Sequence, residues 1–429
     1  MVDLPTSEPR RAAYVTGAEA AELLGVKRET LYAYASRGML RGVPGGKGRA
    51  RLYLRADIER LKARHDARAG HGPVAAEALR WGEPVLESAL TAIGPRGPVY
   101  RGNEAVALAL ADVPFDAVAE LLWTGELPAA GAPAPRPARL SVRPAKLAAL
   151  LPEGAPPFTA LALAVPALGA HDVTRHVGAP SGDGRIPTSD AERARGRALV
   201  RAMAALVGLG RDARRATAAL EAEGTAQRLL VALGANPSKK AERAVNRALL
   251  VSADHELNAS TFAVRVAAST GADLYACVSA GLAALSGPRH GGVTDRVEAL
   301  VAEAGRPERA AAAVHERLRR GEPIAGFGHR LYPEGDPRAR ALLDTARGLA
   351  PHSAALRTVL ALVDALRDAG LDPPSLDMGL VAIAAALGLP AGSAAAMFAV
   401  GRAAGWIAHA FEQREAGYML RPRARYTGP

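Results

Sequence analysis

Residues 326–338 read GFGHRLYPEGDPR, setting His329 among small residues and placing Arg338 nine positions later, behind an Asp-Pro pair. The rest of the chain is rich in alanine and helical in pattern. A glycine- and proline-punctuated loop that carries a histidine and two arginines is therefore a candidate site, because functional groups concentrate on loops held by a rigid scaffold.

The composition sets the frame around this loop. A chain of 429 residues, 49% apolar and 23% charged, is long enough for two or three globular domains. Cys277 is the one cysteine, so neither an internal disulfide nor a thiolate zinc cluster can form, and a reducing, cytoplasmic setting is expected. No apolar leader opens the sequence. The uncharged run at 378–401 has bilayer-spanning length, but GLPAGS at 388–393 breaks it, which predicts two buried helices and no membrane span. The net charge is +11, and residues 1–70 hold 14 Lys/Arg against 8 Asp/Glu, a surplus of 6. A basic terminal module suits a polyanion, or is simply a solvated face.

That module is sharply written. In TGAEAAELLG (16–25), Thr16 and Glu19 have capping-box spacing and Gly25 is a stop signal. RETLYAYASRG (28–38) predicts a second helix, residues 39–54 a basic hairpin, and 55–68 a third helix. The layout is that of a winged helix-turn-helix, and residues 14–65 resemble the MerR/excisionase class of DNA-binding modules. The resemblance implies duplex DNA as a partner, with Lys27, Arg28, Thr30 and Tyr32 toward the major groove and Lys47, Arg49 and Arg51 on phosphates. An interaction or dimer cap is the alternative. RAGHGP (68–73) reads as a linker, so the domains are expected at 1–70 and 74–429, the latter helical without alternating strands.

Several chemistries are excluded by pattern. His255-Glu256 lacks the second histidine of a zincin, and no GxxxxGK[ST], GxSxG or acidic calcium loop occurs. GFGHRL begins like a dinucleotide loop but has Leu331 where the last glycine belongs. What remains is His255, His290 and His329 in polar or glycine-rich settings, with Arg338, Arg402 and Arg421. Arg402 lies within an apolar helix, where an unpaired guanidinium is costly, so a bidentate carboxylate should face it. Asp377, in PPSLDMGL, is either a helix N-cap or a base tuned by an apolar wall.

Five stretches, SADHELNASTFAVRVAAST (252–270), GLAALSGPRHGG (281–292), PIAGFGHRLYPEGDPRA (323–339), AVGRAAGWIAHAFEQ (399–413) and LRPRARYTGP (420–429), resemble the citrate synthase family in order and approximate spacing. Residues 99–128 resemble its N-terminal portion. The resemblance implies a mainly α fold, with a large part (74–288 and 385–429) and a small mobile part (289–384). It implies an acyltransferase of the tricarboxylic acid cycle type that condenses acetyl-CoA with oxaloacetate without metal or other cofactor. On this basis Asp377 removes the methyl proton, His290 and His329 stabilise the enolate and polarise the ketone, and His255, Arg338 and Arg402 hold the dicarboxylate. Arg330 would contact CoA, and Arg421 would reach the substrate across a homodimer. Ser375-Leu376-Asp377-Met378-Gly379 departs from the family's usual Asn-Val-Asp-Phe-Tyr, and Pro333 replaces a usual basic residue. A 2-methylcitrate synthase using propionyl-CoA, and a DNA-binding regulator with a ligand-sensing synthase domain, are the alternative readings.

Overall fold

The computed structural model describes residues 14–36, 40, 42–44, 51–55, 57, 58, 86–129, 140–176, 181, 184–424, 426 and 428. Lys47, Arg49, most of the expected third helix and the 68–73 linker lie outside these residues. Two compact units result, 1–87 and 88–429.

In the first unit, β1 (Tyr14–Thr16) leads into α1 (Gly17–Leu24) and α2 (Arg28–Ser36), followed by β2 (Gly42–Pro44) and β3 (Arg51–Leu54). Thr16 and Glu19 form the expected capping box, and Gly25 ends α1 in the left-handed conformation. The β2–β3 hairpin is antiparallel as expected. Tyr14–Thr16 adds an unexpected third strand against β3, giving the order β1-β3-β2. Three residues are too few to register as an alternating pattern. Val15, Ala20, Leu24, Leu31, Tyr53 and Ile58 form this unit's core.

The second unit opens with a small antiparallel sheet, β4 (Thr91–Gly94), β5 (Gly97–Tyr100) and β6 (Asn103–Glu104), which corrects the expectation of a strand-free unit. Its strands are two to four residues long, joined by turns at 95–96 and 101–102, with positive φ at Gly97 and Gly102. Helices follow: α3 (Ala105–Leu110), α4 (Phe115–Thr124), α5 (Pro144–Ala148), α6 (Pro157–His171), α7 (Asp190–Leu206), α8 (Ala213–Leu220), α9 (Thr225–Leu233) and α10 (Lys239–Ser252). Then come α11 (Ala259–Ser269), α12 (Leu274–Leu285), α13 (Val293–Ala304), α14 (Ala310–Arg319), α15 (Pro337–Leu349), α16 (Ala354–Asp368), α17 (Leu376–Ala386) and α18 (Ser393–Ala416).

The architecture is mainly helical, and α18 is its centre. It is buried on nearly every face from Ser393 to Arg414, as befits an apolar helix enclosed by others. The break between α17 and α18 falls where GLPAGS predicts it, and among the described residues no helix is long and apolar enough to cross a membrane. Gly405 shows how closely α18 is approached: a Cβ there would lie 2.3 Å from the Ala253 carbonyl oxygen. That approach sets the 253–258 turn directly against the helix that carries Arg402. A satellite core of Leu300, Ala304, Ala310, Val314, Leu362 and Leu366 joins α13, α14 and α16.

Candidate active site

The site grows from four segments: the turn after α10, the α12–α13 turn, the 326–338 loop, and the start of α17. In the first, Asp254 and His255 precede Glu256, a non-glycine residue at φ +55°. Asn258 then caps α11, accepting from the Thr261 N–H. Its neighbour Ser260 lies 2.8 Å from His290 Nε2, 2.7 Å from Asn258 Oδ1, and 3.2 Å from the indole nitrogen of Trp406, which donates to it. The Ser260 hydroxyl has one hydrogen, which it donates to Asn258 Oδ1, and the roles at its contact with His290 Nε2 depend on the imidazole tautomer.

The 326–338 loop is anchored by pairing with 373–375. Gly328 N–H donates to Pro373 O and Ser375 N–H to Gly326 O, both at 2.8 Å, around a Phe327–Pro374 bridge. Gly326 and Gly328 take φ of +86° and +74°, and a Cβ on Gly326 would sit 2.6 Å from Val297. These glycines are therefore required by backbone shape and packing.

Asp336 completes the anchor. It caps α15 and accepts from the Arg338 backbone N–H, Nε and Nη2 at 3.0, 3.0 and 2.8 Å. Its Oδ2 also accepts from Leu376 N–H at 3.0 Å, so one buried carboxylate ties the loop to the first turn of α17. Burial would raise the Asp336 carboxyl, but Arg338 outweighs this and holds it below the usual range. Nothing in the sequence reading singled out this aspartate. The signal was an Asp-Pro-Arg at a helix start, where an aspartate satisfies free N–H groups.

Asp377 lies in the first turn of α17, and Ser375 occupies the cap position, so the N-cap reading of Asp377 is corrected. Its Oδ1 is shielded and has no hydrogen-bond partner among the described residues, while Ser375 Oγ donates to Oδ2 at 3.1 Å. Burial pushes its carboxyl up to about 6, against the opposing pull of Ser375 and Arg338. Gly379 does not open extra room beside it: a Cβ there would meet Leu342 at 3.0 Å and the Ala339 backbone at 3.2 Å.

Arg402 is fully buried, with Nε donating to Ser252 O at 2.8 Å and its guanidinium 5.0 Å from the Phe398 ring. Burial brings it down to about 10, opposed by Asp254 and Tyr100. Asp254 bonds His409 at 3.3 Å behind it, so the expected bidentate carboxylate is not among the described contacts of Arg402. The Phe398 ring also meets His290 edge-on at 6.1 Å.

All three imidazoles are held neutral. Burial and then Arg402 bring His290 down to about 4. Burial, Arg338, Arg402 and His329 hold His255 well below the usual range, and burial and Arg338 lower His329. His255 and His329 meet edge to face at 5.3 Å. The structure therefore brings His255, His290, His329, Asp377, Arg338 and Arg402 into one connected neighbourhood. Arg330 and Arg421 are exposed, the latter on the extended C-terminal segment. In the first unit Lys27, Arg28, Tyr32 and Arg51 are exposed and Thr30 is half-buried.

The family described as citrate synthase, C-terminal domain, matches residues 78–423, and a helix-turn-helix domain matches 14–66. The chain belongs to the citrate synthase family. A citrate synthase from Mycolicibacterium smegmatis is 31% identical over 341 residues, covering 77% of this chain and 88% of that protein. A 2-methylcitrate synthase 2 from Corynebacterium glutamicum is 30% identical over 351 residues, with the same coverage of 77% and 88%. Citrate synthase 2 of Bacillus subtilis is 38% identical over 210 residues, 48% of this chain; the match spans only about half of such relatives, 56% in this case. In structure, the chain resembles a Thermoplasma acidophilum citrate synthase solved as a ternary complex with carboxymethyl coenzyme A and oxaloacetate. There the TM-score is 0.67 and the identity 25%, over 82% of this chain and 96% of that one.

Asp377 yields a stability test. Its folded pKa of about 6 lies above the ordinary aspartate value of 3.8, so the ionised form opposes folding. Asp377→Asn should be more stable than the parent above pH 6, on the order of 1–3 kcal/mol. The parent regains stability as pH falls through 6, and the gap should close below about pH 4, followed by thermal melts across pH.

Proposed function

We propose that the chain condenses acetyl-CoA with oxaloacetate and water to give citrate and CoA. The observation that carries this reading is Asp377, a shielded carboxylate with raised pKa beside two arginines and three neutral imidazoles. A base poised near neutrality suits proton abstraction next to a thioester. Asp377 takes the methyl proton, and His290 donates a ring N–H to the thioester oxygen as charge gathers there. Because that imidazole is neutral, it offers a hydrogen bond without surrendering a full proton. The enolate carbon then attacks the oxaloacetate ketone, polarised by His329, and hydrolysis of the new thioester releases CoA.

Arg402 uses only Nε, and Arg338 only Nε and Nη2, in described side-chain hydrogen bonds. Their remaining N–H groups, with His255, suit the two carboxylates of oxaloacetate. Arg421 is assigned to the same substrate across a homodimer, and Arg330 to CoA. The satellite core of α13, α14 and α16 supports a small part, 289–384, that closes over the large part to exclude water. The reaction uses no metal or redox cofactor, and fits a cytoplasmic enzyme.

A propionyl-CoA-using 2-methylcitrate synthase is the second reading, favoured by the near-equal identity to the Corynebacterium protein. The Met378-Gly379 departure adds no cavity on the α15-facing side of α17, where Leu342 and Ala339 fill the space beside Gly379, so acetyl-CoA stays the first reading. Thiol release should therefore show a higher kcat/KM with acetyl-CoA than with propionyl-CoA, with an acid limb near pH 6. Asp377→Asn should lower kcat by about 10²–10⁴-fold. Turnover with neither donor would refute the enzyme reading; propionyl-CoA preference would install the second.

For the first unit we propose contact with duplex DNA through Arg28 and Arg51, with Lys27, Thr30 and Tyr32. Affinity should fall steeply with salt, and Arg51→Ala should reduce the magnitude of the log–log slope by about one. A flat salt dependence would favour the interaction-cap role.

A further inference from the structure

Tyr332 lies within the 326–338 loop, yet no role in the chemistry above uses it. It is only 3% exposed. Its hydroxyl is 3.0 Å from His255 Nε2. Its ring lies 4.9 Å from that of His329, tilted by 33°, and the Arg338 guanidinium sits 5.4 Å from its centroid. The backbone holds it there: Tyr332 N–H donates to His329 O at 2.9 Å, and Gly335 N–H donates to Tyr332 O at 3.0 Å. One side chain thus touches three groups assigned to the keto acid.

We propose that Tyr332 is a positioning residue for the 2-oxo-dicarboxylate, fixing the proton and ring orientation of His255 through its hydroxyl and supporting His329 and Arg338 through its ring. This inference rests on the proposed condensation. Burial pushes the phenol up to about 12, so the hydroxyl keeps its hydrogen throughout the working range. His255 is neutral and has one N–H to place, and a phenol that donates to Nε2 leaves that hydrogen on Nδ1, a bias that phenylalanine would remove. The ring adds a face for the Arg338 cation and a flat neighbour for His329, contacts that a phenylalanine would keep.

Tyr332→Phe and Tyr332→Leu separate the two contributions. Tyr332→Phe should raise KM for oxaloacetate roughly five- to tenfold, the size expected of one neutral hydrogen bond. It should leave kcat within about threefold, KM for acetyl-CoA unchanged and the melting temperature close to the parent's. Tyr332→Leu should raise KM further and lower kcat as well, because His329 loses its neighbour. Without any substrate, ¹⁵N spectra of the full chain should show the His255 ring nitrogens shifting in Tyr332→Phe while the His290 signals hold still. An unchanged oxaloacetate KM, a lowered KM, or unmoved His255 signals would overturn the inference. If the parent chain turns over no oxaloacetate, the condensation reading fails by that result; the His255 spectra then decide the Tyr332 contact separately.

Discussion

The Asp336 carboxylate is the constraint on which the rest of the site depends. It collects three N–H groups of Arg338 and one of Leu376, joining residues 40 positions apart in a buried cluster. Without that joint, the Arg338 end of the 326–338 loop would lose its fixed relation to α17. The paired backbone at 326–328 and 373–375 reinforces the same connection, and the two glycines with positive φ permit it. A buried ion pair of this kind is weak as a source of stability, because desolvation offsets its attraction. Its value here is geometric: it holds a guanidinium within the candidate site and fixes the first turn of α17, with Asp377, next to it.

Two buried guanidiniums then set the electrostatics. Arg338 and Arg402 disfavour each other's charge, and together they keep His255 neutral. Arg338 does the same for His329, and Arg402 for His290, with burial the larger cause in each case. Such a place is costly to leave without an anion and welcoming to a dicarboxylate. The same neutrality makes the imidazoles hydrogen-bond donors suited to a developing oxyanion.

Local patterns were legible in the sequence, and long-range ones were not. The Thr16–Glu19 box, the Gly25 stop and the break before α18 depend on residues within one or two turns, and each stands where the pattern places it. The β4–β6 sheet was missed because two- to four-residue strands leave no alternation to count. The six central site residues were nameable from motifs, but their partners were not. Asp336 looked like part of a helix-start dipeptide, and Tyr332 like loop filler, until folding brought Leu376 and His255 to them. Gly326 and Gly328 answer a backbone demand, a positive φ, that becomes visible only in the folded loop.

The joint at Asp336 can be broken directly. Calorimetric titration of oxaloacetate into Asp336→Ala, paired with chemical denaturation, compares the variant with the parent chain. Leaving Arg338 buried without its partner should cost about 3–5 kcal/mol of stability and weaken oxaloacetate binding at least tenfold. A variant with the parent's stability and affinity would contradict the claim that this carboxylate organises the site.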